Sequence, residues 1–149
     1  MLKESAPFPS GRNEDHLSGL LKLCDYIWMS AMLPVDPATD ELAGDDTETQ
    51  IRQCFINVQN MLEKCSLDLS YVLKTTFYLT DINDLDLCDR ITAEYFSEPY
   101  PARTAMQVCA LPKAAKVQIE FEMMDYRCLE VLCCEEHEEE DECCEGCCR

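Results

Sequence analysis

Residues 100–112 read Tyr-Pro-Ala-Arg-Thr-Ala-Met-Gln-Val-Cys-Ala-Leu-Pro, and they are the most informative stretch of the chain. A Pro-Ala bend leads into a segment that alternates with period two, which predicts a β-strand over 102–110. One set of alternate residues holds the larger apolar side chains, and the other set begins with Arg103 and continues with Ala105 and Gln107. The alternation therefore puts Arg103 at the start of a strand, opposite the larger apolar residues.

Arg103 is the first candidate functional group, and two interpretations of it stay open from spacing alone. A guanidinium held at a strand end can clamp a carboxylate, because its planar fork makes two parallel charge-assisted hydrogen bonds. In the other interpretation Arg103 is an ordinary surface residue, paired with one of the chain's 30 acidic side chains.

A wider pattern includes this stretch. PARTAMQVCALPK at 101–113, followed by KVQIEFE at 116–122, resembles the signature of the RidA/YjgF/L-PSP family. The resemblance also includes SAMLPVDPATDEL, TETQIRQCFINVQNMLEKC and YVLKTTFYLTDINDLDLCDRITAEYF, which stand at 30–42, 47–65 and 71–96. It runs from about Ser18 to Met124, and the order and spacing of the motifs make it specific.

The resemblance implies a fold, an assembly and an activity. Family members have the chorismate-mutase-like α+β fold and form trimers, with ligand clefts between subunits. Catalytic members hydrolyse 2-imino acids to 2-oxo acids and ammonia, and they need no metal or organic cofactor. In this chain Arg103 would grip the substrate carboxylate, Ala105 would offer its backbone N–H, and Ser30 and Ala31 would line the cleft.

Three departures from the family pattern affect the expected chemistry. The family's V-E-I-E is Val-Gln-Ile-Glu here, so Gln118 replaces the carboxylate that positions water; an amide holds water but cannot take its proton. Glu120 shares the face of Gln118 but would lie about 7 Å further along the strand. The family's cleft Tyr aligns with Leu17, and the adjacent His16 is either a polar substitute or a solvated side chain. Ala31 replaces a common Gly.

Three functions follow from these residues. The leading one is Rid-type deamination of 2-imino or enamine acids, with Arg103 and Gln118 as the catalytic pair. The second is a non-catalytic, trimeric binder of small carboxylate metabolites, regulatory or chaperone-like, and it is favoured by Gln118 and Leu17. The third is an endoribonuclease, which the net charge of −18 disfavours because a strongly acidic protein repels a phosphate backbone.

Composition and charge limit the location and the partners. The 149 residues fit one domain, and we find no Lys/Arg run and no apolar stretch long enough to span a membrane. The N-terminus lacks the apolar core of a signal peptide, so we expect a cytoplasmic protein with reduced thiols, no nucleic-acid partner and no membrane contact.

We expect three segments: a loose arm over 1–15, a RidA/YjgF-like domain over 16–124, and an acidic, Cys-rich tail over 125–149. The tail holds seven of the twelve Cys around a run of Glu, and its composition favours disorder. Cys144 and Cys147 have the spacing of metal ligands, with His137 as a further donor, and lipidation of the thiols is a third interpretation. One such pair does not decide between them.

The predicted order of elements is ββ–α–β–α–ββ, with both helices packed on one face of a single sheet. Thr47 and Gln50 suggest a capping box for the first helix, whose apolar face repeats through Ile51, Phe55, Val58 and Leu62. Four alternating residues are expected to share one face of the third strand: Leu73, Thr75, Phe77 and Leu79. The second helix is expected to start after Asp81 or Asn83 and to bury Leu87, Ile91 and Tyr95. The sheet face without helices is expected to carry both Arg103 and Gln118, together with small neighbours including Ala105.

Overall fold

The structure is a computed structural model that describes residues 3–7 and 17–127. One sheet holds six strands: β1 Lys3–Ala6, β2 Leu20–Leu23, β3 Tyr26–Met29, β4 Val72–Leu79, β5 Ala102–Gln107 and β6 Val117–Met124. Their spatial order is β1-β2-β3-β6-β4-β5, and within the described sheet only β4 and β5 run parallel. Two helices, α1 Thr47–Lys64 and α2 Leu85–Tyr95, pack on the sheet, so the predicted α+β class is confirmed.

Helix α1 covers the sheet with the apolar face that its periodicity predicts. Ile51, Phe55, Val58 and Leu62 are fully buried. The predicted cap at Thr47 is wrong: Asp46 is the N-cap, and its carboxylate accepts from the N–H of Thr49 at 2.8 Å. Aspartate and threonine are both good caps, so neighbouring candidates at 46 and 47 could not be separated by type alone.

Gln50 ties α1 to the two segments beside it. Its side chain is buried, its amide donates to the carbonyl of Gly44 at 2.8 Å, and its Oε1 accepts from the N–H of Lys116 at 2.8 Å. Both ends of the amide are therefore satisfied, which a buried polar side chain requires. The contact fixes the start of β6 against the N-terminal turns of α1.

Strand β4 differs from its predicted pattern at one residue. Thr75, Phe77 and Leu79 are buried as expected, but Leu73 is 51% exposed and Val72 is buried instead. The pairing of β4 with β6 shifts between Val72 and Lys74, so the strand carries an irregularity there. An inserted residue reverses the alternation beyond it, and the sequence carries no mark of that insertion.

Helix α2 begins after a single 3-10 turn, Ile82–Asp84, which Asp81 caps by accepting from the N–H of Asn83. Ile91 is buried as predicted, and Cys88 is buried with it. Leu87 and Tyr95 are only partly buried and pack against the core cluster.

Part of the expected loose arm over 1–15 is a strand. Lys3–Ala6 form β1, which pairs antiparallel with β2. Gly19 N–H also donates to the carbonyl of Ala6 at 2.9 Å. A strand added by backbone pairing needs no amphipathic signal of its own, which explains why the pattern missed it.

Asp125 anchors the chain after the last strand. Its side chain is 4% exposed and accepts from Lys22 at 2.6 Å and from Arg127 at 2.7 Å. Arg127 also lies over the ring of Tyr71, 5.6 Å from its centroid. The folded unit therefore reaches Arg127, three residues beyond the predicted boundary at Met124. Residues 128–149, with the predicted metal and lipid interpretations of the tail, lie outside the described part.

This anchor predicts a specific pH dependence. Hydrogen bonds from Arg127, and then from Lys22, hold the pKa of Asp125 well below its ordinary value of 3.8. Because the folded pKa is the lower one, the stabilisation is complete above about pH 5 and is lost as pH falls through the unfolded value and below. Asp125→Asn should lower the free energy of unfolding by about 2 kcal/mol at neutral pH.

Urea unfolding of the wild type and Asp125→Asn, at neutral pH and near pH 3.5, measures this difference. The difference in the free energy of unfolding between the two proteins should narrow at the acidic pH, because Asp125 begins to be protonated in the unfolded state while it stays ionised in the folded state. Asp45→Asn is the matched control, since Asp45 is exposed. A gap of equal size at both pH values would contradict the assignment.

The same anchor predicts where the chain can be shortened. A variant ending at Arg127 should keep the melting temperature of the full chain, because the composition of the remaining tail favours no packed core. A variant ending at Met124 should melt about 5 °C or more lower, since it loses Asp125 and Arg127. Calorimetry of the three chains measures their melting temperatures. An equal fall in melting temperature in both shortened chains would show that the tail contributes to folding.

Candidate functional site

The register of the sheet places the predicted site residues on two different faces. Arg103 is paired with Thr75 and Ala105 with Phe77, and Phe77 is fully buried beneath the helices. Directly paired residues share a face, so Arg103 and Ala105 lie on the helix side. Gln118 is paired with Tyr78 and lies on the opposite side. The prediction that Arg103, Ala105 and Gln118 share the uncovered face is therefore wrong.

The Arg103 group lies at the edge of the sheet. Its Nη2 is 3.1 Å from Oδ2 of Asp89 on α2, and the two side chains are 35% and 49% exposed. The half-exposed setting leaves the guanidinium accessible to a small molecule. Both interpretations of Arg103 are thus visible at once: it forms a surface ion pair, and it keeps other donors free.

The backbone N–H of Ala105 points outward from the edge of the sheet. Val108 N–H donates to Leu79 carbonyl on β4 at 2.8 Å, so the N–H groups at alternate positions from Val108 point toward β4. The N–H of Ala105 points the other way, and β5 is the last strand in the sheet order. This donor lies two residues from Arg103 along the same edge, as a carboxylate site with a backbone donor would require.

A second group forms around the end of β3. Met32 and Ile119 exchange backbone hydrogen bonds of 2.7 and 3.1 Å, which brings the segment after β3 against β6. Gln118 then donates its Nε2 to the carbonyl of Ala31 at 3.1 Å. Ser30 Oγ donates to the carbonyl of Ser18 at 2.8 Å. Ser30, Ala31 and Gln118 are therefore close together.

Leu17 stands at the margin of this second group. It is 52% exposed and directly precedes Ser18, whose carbonyl Ser30 engages. A leucine supplies contact area but no proton or hydrogen bond. His16 lies outside the described residues.

Gln118 keeps one polar atom for a ligand or water. Its Nε2 is used by Ala31, and its Oε1 accepts no hydrogen bond from the described residues. Glu120 is on the same face but accepts from the hydroxyl of Tyr78 at 2.8 Å. An amide oxygen can orient water by accepting a proton in a hydrogen bond, but it cannot act as a base at neutral pH.

The buried thiols of Cys88 and Cys54 are not candidate nucleophiles. Cys88 is fully buried. Its burial raises the pKa of its thiol to about 12, and the nearby negative charges of Asp84 and Asp89 contribute to the same shift. Burial raises the pKa of Cys54 as well. A thiol stays protonated when the pH is far below its pKa, so neither residue provides a thiolate near neutral pH.

Two further observations concern metal ions and membranes. Within residues 3–7 and 17–127, no three His, Cys, Asp or Glu side chains gather as metal ligands would. No helix in that part of the chain is both long and apolar enough to cross a bilayer.

Asp89 is the site-adjacent residue that sequence reasoning missed. It belongs to α2, and only the packing of α2 on the edge of the sheet brings it to Arg103. Fourteen positions separate the two residues, and nothing in the local pattern marks them as partners.

The strand order, with two helices on one face of a six-stranded mixed sheet, defines the chorismate-mutase-like α+β class. A family model described as Endoribonuclease L-PSP matches residues 13–124. The chain belongs to this family, which is also called RidA/YjgF.

Individual relatives support the same family assignment. RutC family protein y4sK of Sinorhizobium fredii is 43% identical over 103 residues, covering 69% of this chain and 82% of that protein. Human 2-iminobutanoate/2-iminopropanoate deaminase is 35% identical over 94 residues, covering 63% of this chain and 69% of that protein. The crystal structure of RidA from an Antarctic Psychrobacter has a TM-score of 0.75 at 31% identity, covering 81% and 98% of the two chains.

Proposed function

We propose that this protein hydrolyses reactive 2-imino acids to 2-oxo acids and ammonia, with Arg103 holding the substrate carboxylate. The observation that carries the proposal is the pairing of a half-exposed guanidinium with an outward-pointing N–H at the same strand edge. The family membership and the names of the mammalian relatives support the reaction class.

The reaction needs orientation more than strong acid–base chemistry. Water adds to the carbon of the protonated C=N group, the C–N bond of the resulting amino alcohol breaks, and ammonia leaves while the oxygen remains as the ketone. A fixed carboxylate holds the imine carbon at one position, which lowers the entropic part of the barrier. Gln118 Oε1 would hold the attacking water, and the water's protons would pass to solvent or to the departing nitrogen.

The two groups can serve one substrate only if different copies of the chain supply them. Arg103 and Gln118 lie on opposite faces, and their strands are separated by β4, about 10 Å apart across the sheet. We therefore propose a homotrimer in which Arg103 and Ala105 of one copy face Leu17, Ser30, Ala31 and Gln118 of the next.

The uncovered sheet face supports this assembly. It carries Trp28, which is 42% exposed and stacks on Tyr26 with ring centroids 5.9 Å apart, and it carries Met106, which is 41% exposed. Polar pairs lie between them, including Lys74 with Glu122 at 3.0 Å. A sheet face with such apolar side chains is commonly buried against another copy, and closed symmetry is the usual arrangement.

A second function, non-catalytic binding of a small carboxylate, is favoured by one observation. Gln118 replaces an ionisable side chain, and its amide is already hydrogen-bonded to Ala31. The same Arg103 clamp would then retain a metabolite without activating water. The two functions share a ligand class and differ in turnover.

Arg103→Ala should reduce imine hydrolysis by about two orders of magnitude or more, because a charge-assisted hydrogen-bonded pair contributes a few kcal/mol. The assay generates 2-iminobutanoate in situ with a threonine dehydratase and follows its decay by semicarbazide trapping. Arg90→Ala on α2 is the matched control, since it removes an exposed cation outside the proposed site. A wild-type chain with no acceleration over buffer would favour the binding function.

Gln118→Glu should raise kcat, because a carboxylate can take the proton that the amide cannot. The KM should change little, since the carboxylate clamp is untouched. The same trapping assay over a range of imine concentrations separates the two parameters. A lower kcat in Gln118→Glu would show that water activation does not limit the reaction at this position.

The composite site predicts complementation between two inactive variants. Arg103→Ala and Gln118→Leu chains, unfolded together and refolded as a mixture, should recover about one quarter of the wild-type activity, since random trimers join an intact Arg103 to an intact Gln118 at that frequency. Light scattering should give three times the chain mass of 17.1 kDa. A monomer, or a mixture no more active than its components, would contradict the shared site.

A further inference from the structure

Asp89 gives the Arg103 position a charge pattern that a simple carboxylate clamp would lack. Its Oδ2 lies 3.1 Å from Arg103 Nη2, so a carboxylate is already attached to one arm of the guanidinium. Both side chains remain accessible to solvent, at 49% and 35% of their area. A ligand that reaches Arg103 therefore meets a cation and an anion side by side.

The pair leaves room for a ligand on Arg103. A guanidinium has five N–H donors, and the hydrogen bond to Asp89 uses Nη2 alone among the described contacts. Nη2 carries two hydrogens and shares one fork with Nε and another with Nη1, so the fork that Asp89 does not use stays complete for a second carboxylate. Asp89 thus orients Arg103 without occupying all of it.

The electrostatic consequence depends on what else the ligand carries. A ligand with only a carboxylate places its negative charge next to Asp89, and like charges at this range repel. A ligand that also carries a cationic nitrogen beside its carboxylate can place that nitrogen against Asp89. The two ion pairs would then run antiparallel, with each ligand charge facing its opposite.

We infer that Asp89 makes the Arg103 position selective for ligands in which a cationic nitrogen adjoins the carboxylate. The inference rests on the proposed function, because it takes Arg103 as the carboxylate clamp. A protonated 2-imino acid has this charge pattern, whereas the 2-oxo acid product does not. Asp89 would therefore favour substrate over product and would assist product release.

Isothermal titration of the full chain with two ligands of equal carbon skeleton tests the inference. The stable probe 2-aminobutanoate carries an ammonium where the protonated imine carries its nitrogen, and 2-oxobutanoate carries none. The wild type should bind 2-aminobutanoate about fivefold more tightly, in line with one solvent-exposed ion pair. Asp89→Asn should remove that preference while its amide oxygen still accepts from Arg103.

Asp86→Asn is the matched control. Asp86 is an exposed residue of the same helix that forms no ion pair among the described residues, so it removes one negative charge without touching Arg103. This variant should keep the wild-type preference. Loss of the preference in both variants would show a general field of the acidic helix and would overturn the role of Asp89.

The remaining outcomes separate this inference from the proposed function. If Arg103→Ala leaves both affinities unchanged, the carboxylate clamp itself is wrong. If Arg103→Ala weakens both ligands while Asp89→Asn changes them equally, the clamp is supported and the selectivity is overturned. If the wild type binds neither ligand and Asp89→Asn binds both, Asp89 excludes carboxylates and does not select among them. No binding by any variant contradicts both proposals.

Discussion

The backbone register that joins β6, β4 and β5 is the constraint on which the rest of the structure depends. It pairs Phe77 with Ala105 on the helix side and Tyr78 with Gln118 on the other side. Alternation within a strand is fixed by backbone geometry, but the phase between strands is fixed only by their hydrogen bonds. Because β4 lies between β6 and β5, its pairing assigns each candidate side chain of those two strands to a face.

That assignment divides the candidate site between the two faces of one sheet. Arg103 is held on the helix side by Asp89, and Gln118 is held on the other side by Ala31. In the proposed function this division makes assembly part of the chemistry, since a single copy would present the carboxylate clamp without the water-holding amide opposite it. The apolar side chains of the uncovered face would provide the association energy through burial of Trp28 and Met106.

Electrostatics sets the character of the Arg103 group more than its shape does. The chain carries a net charge of −18, so an anionic ligand approaches against an unfavourable field. Arg103 offsets that field locally, and the carboxylate of Asp89 opposes that offset. A ligand with charges of both signs is less affected by the field than a simple anion is, which agrees with selection of a zwitterionic or protonated substrate.

The sequence by itself determined the class of fold, the family and the residue types at the site. Helical periodicity placed the buried face of α1, and strand alternation placed Thr75, Phe77 and Leu79 on one face of β4, because both patterns follow from local backbone geometry. Only the tertiary structure decided the face of Arg103, the bulge that exposes Leu73, strand β1, the anchor at Asp125 and the contact with Asp89. Each of these depends on pairing between segments distant in sequence, and such pairing leaves no periodic mark in either segment.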